Sequence, residues 1–496
     1  MYNAGHLIWI ILTVAIAFAG ICQILRSPRR ILSFMCVGVF SVTIPVMTAA
    51  GYTFYNSTMF SLGEWFYIDS LSAFHLVVMM IVFCMSTLYA FHYFDEKIKE
   101  GVFTTRLARR FAGLWFASLA AMTLVLVSNN LGLMWVGMET TTLMTAFLIC
   151  IYSNKTAVEA MWKYLIICSV GIAFAFMGTL LIAASAHTLE IQLTDVLLWT
   201  KLVKVSGGLN PAMVKAGFLF ILVGYGTKAG LAPMHTWLPD AHSQSPAPVS
   251  AIFSGFMLNA ALYCIMRYMS LVQRVSGLSN FSQELLILFG IITIIIAAAF
   301  ILSQHDLKRL LAYSSVEHIG IMALGLGLGP AGIFAALFHV LNHSICKPLA
   351  FFSAGRIGQI YGTYDMRNIT GSMRLSKLWG GSLMGSLLAL IGVAPFALFM
   401  SEFLIAKAAL ETHSIRVLVL FLTGLSVVFI GVLRHAVPLV WGKPVEIDQP
   451  SIQQSAFSEK IIVFGALAML LILGLWMPDS LHEMLNRAAD IVGGRK

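Results

Sequence analysis

The sequence predicts an all-α polytopic membrane protein of about fourteen transmembrane helices, with two inverted five-helix repeats that each contain a broken helix. Three observations lead there. Of 496 residues, 59% are hydrophobic and 11% charged, and the mean hydropathy is +0.87, far from the composition of a water-soluble domain. Apolar segments near bilayer length follow one another along the chain. Two of them hold a charged residue beside a proline, at similar offsets within two five-segment groups.

In order, the segments run over 6–25, 31–54, 70–94, 111–128, 131–151, 162–186, 213–231, 247–272, 282–303, 308–328, 331–354, 376–404, 415–441 and 460–477. The first lacks a basic start and is followed by the stop-like cluster Arg26, Arg29 and Arg30, so it reads as a span rather than a cleaved signal. With the N-terminus outside, the cytoplasmic loops carry about twice as many Lys and Arg as the outer ones, the direction that bilayer insertion favours. Lys308 and Arg356 count among the inner residues, Arg267 and Lys496 among the outer. Both termini are therefore expected outside a bacterial or archaeal cytoplasmic (inner) membrane. Anchoring at the inner lipid surface accounts for the net charge of +9 without a nucleic acid.

Spans four to eight and nine to thirteen form the two predicted repeats, because Lys228 and Glu402 lie at similar offsets from residues 111 and 282, each on the fourth helix of its group. An odd helix count makes successive units enter the membrane from opposite sides. The boundaries are residues 1–110 for the first three helices, 111–273 and 281–441 for the repeats, and 442–496 for the final helix and tail.

An ionisable side chain at membrane depth costs a few kcal/mol even on lenient scales, so such residues mark pathways or paired structural sites. Glu139 sits in an apolar helix and is followed by three threonines, which favours a proton carrier over a static ion pair. Lys228 lies between Gly226 and Gly230 and ahead of Pro233, Pro239, Pro246 and Pro248; a helix broken there would line a cavity. His235, Asp240 and His242 extend a path to one surface or form a polar interfacial loop. In "AALFHVLNHSICKPLAFF", His339, His343 and Lys347 recur every four residues and stack on one helical face. Glu317 and His318 on the preceding segment join them as a candidate relay. Pro348 is expected to loosen the backbone near Lys347. Glu402 follows the break at Pro395, and Lys407 is expected to reach the interface.

The seven cysteines contain no CxxC pair, so neither an iron–sulfur centre nor a disulfide framework is indicated. Rossmann and Walker glycine patterns are absent as well. No cofactor and no metal site is expected, and redox chemistry or ATP hydrolysis would have to come from another subunit. Whether the chain counts as part of an enzyme depends on that partner.

The stretch 224–251, with "SNNLGLMWVGMETTTL", "DLKRLLAYSSVEHIG" and "FHVLNHSICKPLAFFSAG", resembles the antiporter-like subunits shared by respiratory complex I, the multisubunit cation/proton antiporters and group 4 membrane-bound nickel–iron hydrogenases. The likeness extends over about residues 60–440. Its branch is most similar to hydrogenase-4 component F, of the formate hydrogenlyase type. The resemblance implies proton translocation along a mid-membrane axis, beside other membrane subunits of a hydrogenase or dehydrogenase complex, further antiporter-like subunits among them. A peripheral nickel–iron hydrogenase or quinone-reducing arm would supply the driving force. It further implies that Glu139 is the glutamate of the fifth helix and Lys228 the lysine of the broken seventh, whose charge that glutamate governs. His318, His343 and Lys347 match the central axis, and Glu402 the terminal acid or base of the twelfth helix. Lys163 fits a family lysine. Asn259 stands where many relatives have a lysine, and asparagine cannot carry a proton as charge. Three alternatives stay open: a structural anchor without net transport, a cation/proton antiporter subunit, and a subunit of an inorganic-carbon uptake complex.

Overall fold

A computed structural model describes residues 5–56, 58–187, 189, 192, 194–443 and 455–495. The basic residue Lys496 lies outside them. The helices are α1 (His6–Ile24), α2 (Pro28–Asn56), α3 (Ser70–Lys99), α4 (Thr105–Val127), α5 (Leu131–Ile149), α6 (Lys155–Ala184), α7 (Trp199–Lys204), α8 (Pro211–Ala229), α9 (Trp237–Gln244), α10 (Ala247–Ile252), α11 (Leu258–Val272), α12 (Phe281–Leu302), α13 (Leu307–Gly327), α14 (Gly329–Tyr361), α15 (Ser372–Leu375), α16 (Lys377–Leu390), α17 (Ala397–Glu411), α18 (Ile415–Trp441), α19 (Phe457–Leu475) and α20 (Asp479–Val492).

Thirteen segments among the described residues are long and apolar enough to cross a membrane, counting Pro211–Gln244 and Ala247–Val272 as one each despite their interruptions. The span predicted over 376–404 is absent from that number because it is two short helices, α16 and α17, separated by Ile391–Phe396. The other thirteen predicted spans each correspond to one of these segments.

Both breaks have the same backbone chemistry. At the end of α8, Gly230 is left-handed (φ 88°), its N–H meets the Thr227 carbonyl at 3.3 Å, and the N–H of Leu231 returns to Gly226 at 2.8 Å. At the end of α16, Gly392 (φ 68°) donates to Ala389 at 3.2 Å, and Val393 returns to Leu388 at 3.1 Å. These are Schellman caps, which satisfy helix carbonyls and require a residue tolerant of positive φ. Each runs into an Ala–Pro bond, at Ala232–Pro233 and Ala394–Pro395, and both bonds are cis. The repeated words "GLAP" and "GVAP" are a sequence signal that offset counting alone passes over. Offset counting pairs Lys228 with Glu402; the caps put Lys228 two residues before its glycine and Glu402 ten residues after its own, so the residue in register with Glu402 is Asp240.

Burial sorts the helices. The apolar windows of Ala247–Val272 and α13 are 100% buried and that of α14 is 94% buried, against 22% for α1 and 28% for α18. The densest polar residues therefore sit on the most enclosed helices. α13 packs between α12 and α14, and α14 also touches α16, α17, α10 and α3. Around the first break, α6 and α8 approach at glycines: a Cβ on Gly178 would stand 2.6 Å from the Gly217 carbonyl oxygen. Such closeness is how helices pack without a hydrophobic drive between them.

Three features differ from the sequence expectation. A hairpin of β1 (Met59–Ser61) and β2 (Phe66–Ile68) precedes α3, formed by a short alternating run too small to register as a periodic signal. The amphipathic α20 lies in the predicted tail and packs on α3, α14 and α11. Arg267, Lys308 and Arg356, counted as surface anchors, are all buried. Arg267 makes a two-pronged pair with Asp69 at 2.6 and 2.7 Å and also donates to Ser72 and Tyr263. Arg356 joins Glu459 of α19 to Glu96 of α3. Lys308 donates to the carbonyls of Ser243 (3.1 Å) and Ser245 (2.5 Å). Removing one partner of a buried pair leaves a charge uncompensated, so Asp69→Ala is expected to destabilise the fold by about 3–5 kcal/mol. Thermal unfolding of the purified protein measures this; an unchanged midpoint would show that Arg267 finds another acceptor.

Candidate functional site

The first polar cluster lies among α5, α6 and α8. Lys228 is fully buried in the last turn of α8. Its ammonium donates to Thr142 Oγ1 at 2.9 Å and, in a very short contact, to Tyr164 OH; Tyr164 OH in turn meets Thr145 Oγ1 at 2.6 Å. The nitrogen sits 4.5 Å from the Tyr164 ring centre. Glu139 accepts from Ser169 Oγ at 2.8 Å, and its second carboxylate oxygen is buried without a protein partner. Among the described residues, no ion pair within 4.0 Å joins Glu139 to Lys228. The reason is geometric: the hydroxyl that takes the lysine belongs to Thr142, one helical turn beyond Glu139 on the same helix. The two charges act on each other across that turn rather than in contact.

Lys163 and Asp240 meet near one surface. Because α6 begins at Lys155, Lys163 lies in its third turn, paired with Glu159 at 2.7 Å and Asp240 at 3.2 Å. Asp240 also takes Arg309 at 2.6 Å, and a pocket of about 150 Å³ opens beside these side chains. His235 is 5% exposed, in the turn after the break, with one ring nitrogen unpartnered. His242 stacks on Phe351 at 4.8 Å, with neither ring nitrogen partnered. Neither histidine joins Lys228 by a hydrogen bond.

The second cluster is built on α11, α13, α14 and α17. A widened π turn at Phe253–Met257 passes Pro348, which a Cβ on Gly255 would approach to 2.9 Å. Just after it, Asn259 donates to the Gly255 carbonyl at 3.0 Å and to Ser344 Oγ at 2.9 Å. Lys347 donates to the Leu311 carbonyl at 3.0 Å; Glu317 is buried with one oxygen unpartnered. α14 continues through Pro348, so the ladder of His339, His343 and Lys347 stands on one unbroken helix, as its spacing predicts. His318 lies between two of its rungs, its ring centre 5.1 Å from those of both His339 and His343.

Hydrogen bonds order one end of the ladder. Ser401 Oγ donates to the Leu398 carbonyl at 2.8 Å, so it accepts from His339 Nδ1 at 2.9 Å. A neutral His339 then offers a lone pair at Nε2, which takes the proton of His318 Nδ1 at 2.9 Å. That leaves His318 Nε2 bare, buried and unpartnered. Glu402, the residue after Ser401, completes the group: His318, His339 and Glu402 each bring one ligand-type atom within 4.8 Å of the others, the one such three-residue grouping among the described residues. Two imidazoles and a carboxylate are a donor set that suits a transition metal, a possibility the sequence reading did not include. The sequence reading also missed Tyr164 and Ser401, each a hydroxyl next in the chain to a residue already singled out (Lys163 and Glu402), and Ser169, which no neighbouring residue marked.

A family model described as NADH:quinone oxidoreductase/Mrp antiporter, transmembrane, matches residues 128–428, a range that contains both clusters. The chain belongs to that family. It is 35% identical over 433 residues to a hydrogenase-4 component F homolog of Methylacidiphilum infernorum, covering 87% of this chain and 89% of that protein. It is 28% identical to NADH-quinone oxidoreductase subunit N of Desulforudis audaxviator, over 73% of this chain and 70% of that one. Its backbone superposes on a chain of the membrane-bound sulfane sulfur reductase, an archaeal respiratory membrane complex, with a TM-score of 0.87, 26% identity and coverage of 99% and 97%. Members of this family are antiporter-like membrane subunits of complex I-related assemblies and group 4 hydrogenases, where they sit beside other membrane subunits.

Proposed function

We propose that the chain moves protons through the membrane along Glu139, Lys228, Lys347, His343, His318, His339 and Glu402, driven by a redox partner in the same complex. The observation that carries this reading is the chain of hydrogen bonds from His318 through His339 to Ser401, next to Glu402, with both histidines on helices that have almost no exposed surface. Neutral imidazoles joined in this way take a proton at one nitrogen and release one at the other. Glu139 Oε2, Asn259 Oδ1, Glu317 Oε2, both nitrogens of His343 and Glu402 Oε1 are buried without protein partners. Leaving such atoms unpaired costs about 1–3 kcal/mol each, so ordered water along this string is their natural partner. Water at Asn259 Oδ1 would bridge the first cluster to Lys347.

The anchor reading draws on Asn259, whose amide is held by Gly255 and Ser344 and cannot bear the charge that a lysine would carry. The two readings separate at Lys347, which alone occupies the ladder's far end. Lys347→Ala is expected to lower proton uptake into sealed vesicles by about tenfold or more, with electron transfer and assembly of the complex retained. Proton uptake unchanged from wild type would favour the anchor.

The matching glycine caps and Ala–Pro steps support two structural repeats over residues 111–273 and 281–441. The Lys and Arg asymmetry supports both termini lying outside the cytoplasmic membrane.

A further inference from the structure

Glu402 has a second environment on the side away from His318. A cleft of about 370 Å³ opens between α17 and α18, with Glu402 at its floor and Phe399, Phe403 and Phe429 along its walls. Its rim is apolar and open: Phe403 on the short α17 is 55% exposed, and Ile430 on the membrane-crossing α18 is 63% exposed. Glu402 as a residue is 7% exposed, and its Oε1 is buried with no protein partner. Its Oε2 occupies the space in which a Cβ at the left-handed Gly392 would stand, so the glycine makes the seat that the carboxyl fills. Among the described residues no lysine or arginine lines the cleft, and Ser426 is the other polar side chain there.

An apolar cavity of this size with one or two convergent polar groups is the common form of a small-molecule site. A carboxylate without a counter-charge, walled by phenyl rings, selects a cation on an apolar body: the charge pairs with the carboxylate, and the ring faces add their own attraction for it. We propose that the α17–α18 cleft binds a protonated lipophilic amine that enters from the bilayer and seats its head on Glu402. An occupant there would hold the last group of the path in its ionised form. The same opening makes Glu402 a modification site for hydrophobic carbodiimides. The acid O–H adds across one C=N bond, its proton passing to nitrogen and its oxygen to the central carbon. The acyl group then shifts to nitrogen, so the whole reagent stays on the side chain as an N-acylurea.

The test uses native membranes holding the assembled complex. Dicyclohexylcarbodiimide should label Glu402, read by mass spectrometry of its peptide, and a water-soluble carbodiimide should not. Addition of N,N-dimethyl-4-phenylbutylamine should slow that labelling by about tenfold, whereas its uncharged isostere (5-methylhexyl)benzene should slow it little. Ser426→Trp, which narrows the cleft beside Glu402, should slow labelling of Glu402 by dicyclohexylcarbodiimide. Labelling that is indifferent to both the amine and Ser426→Trp, labelling by the water-soluble reagent alone, or no labelling in the assembled complex would each overturn the proposal. Labelling is read without turnover, so its outcome stands apart from whether protons cross the membrane.

Discussion

Lys228→Ala is expected to reduce proton uptake into sealed vesicles by about 100-fold, the scale lost when a positioned proton-transfer group is removed, while the complex still assembles. The ammonium is held by two neutral hydroxyls, those of Thr142 and Tyr164, and by no carboxylate in contact. A lysine locked into a direct buried pair would leave an uncompensated charge on removal, at a cost of about 3–5 kcal/mol. Here Tyr164 keeps its bond to Thr145, so the penalty is nearer the about 1 kcal/mol of a neutral hydrogen bond. Lys228→Arg separates charge from proton exchange, because guanidinium does not deprotonate in a protein. It should assemble and stay inactive. A pH-sensitive dye follows uptake, with electron transfer by the partner enzyme recorded in parallel; wild-type uptake in the alanine variant would remove Lys228 from the path.

Glu402→Gln is the second large effect, with uptake expected to fall by a similar factor. The amide keeps the shape that fills the space at Gly392 but cannot exchange the proton arriving beyond His339 and Ser401. Glu402→Asp still titrates but draws the carboxyl back by one methylene, and part of the activity should survive. Equal uptake in the glutamine variant and wild type would put the exit elsewhere, with His413 and its loop the next place to look. Loss of electron transfer together with uptake would mean that the two are tightly coupled, and loss of the assembled complex would favour the anchor reading.

Hydropathy and local spacing reached far into this protein. A span announces itself through some twenty consecutive residues, and a ladder such as His339, His343 and Lys347 through a period of four, so both are properties of the chain alone. Breaks at Pro233 and Pro395 are equally local, because proline and the preceding glycine act on their own backbone. Partner choice is another matter. Lys228 turns to Thr142 and Tyr164 rather than to Glu139, and Arg267 leaves the surface for Asp69, 198 residues away. Which atoms meet depends on how closely α6 and α8 approach at their glycines and on which faces α13, α14 and α17 turn to one another. The tautomers of His318 and His339 follow from a serine on a third helix. By itself the sequence determined thirteen of the spans, the two breaks and the titratable ladder of α14, since each depends on near neighbours. Only the tertiary structure decided their hydrogen-bond order and the cleft behind Glu402, since those depend on distances between helices far apart in the chain.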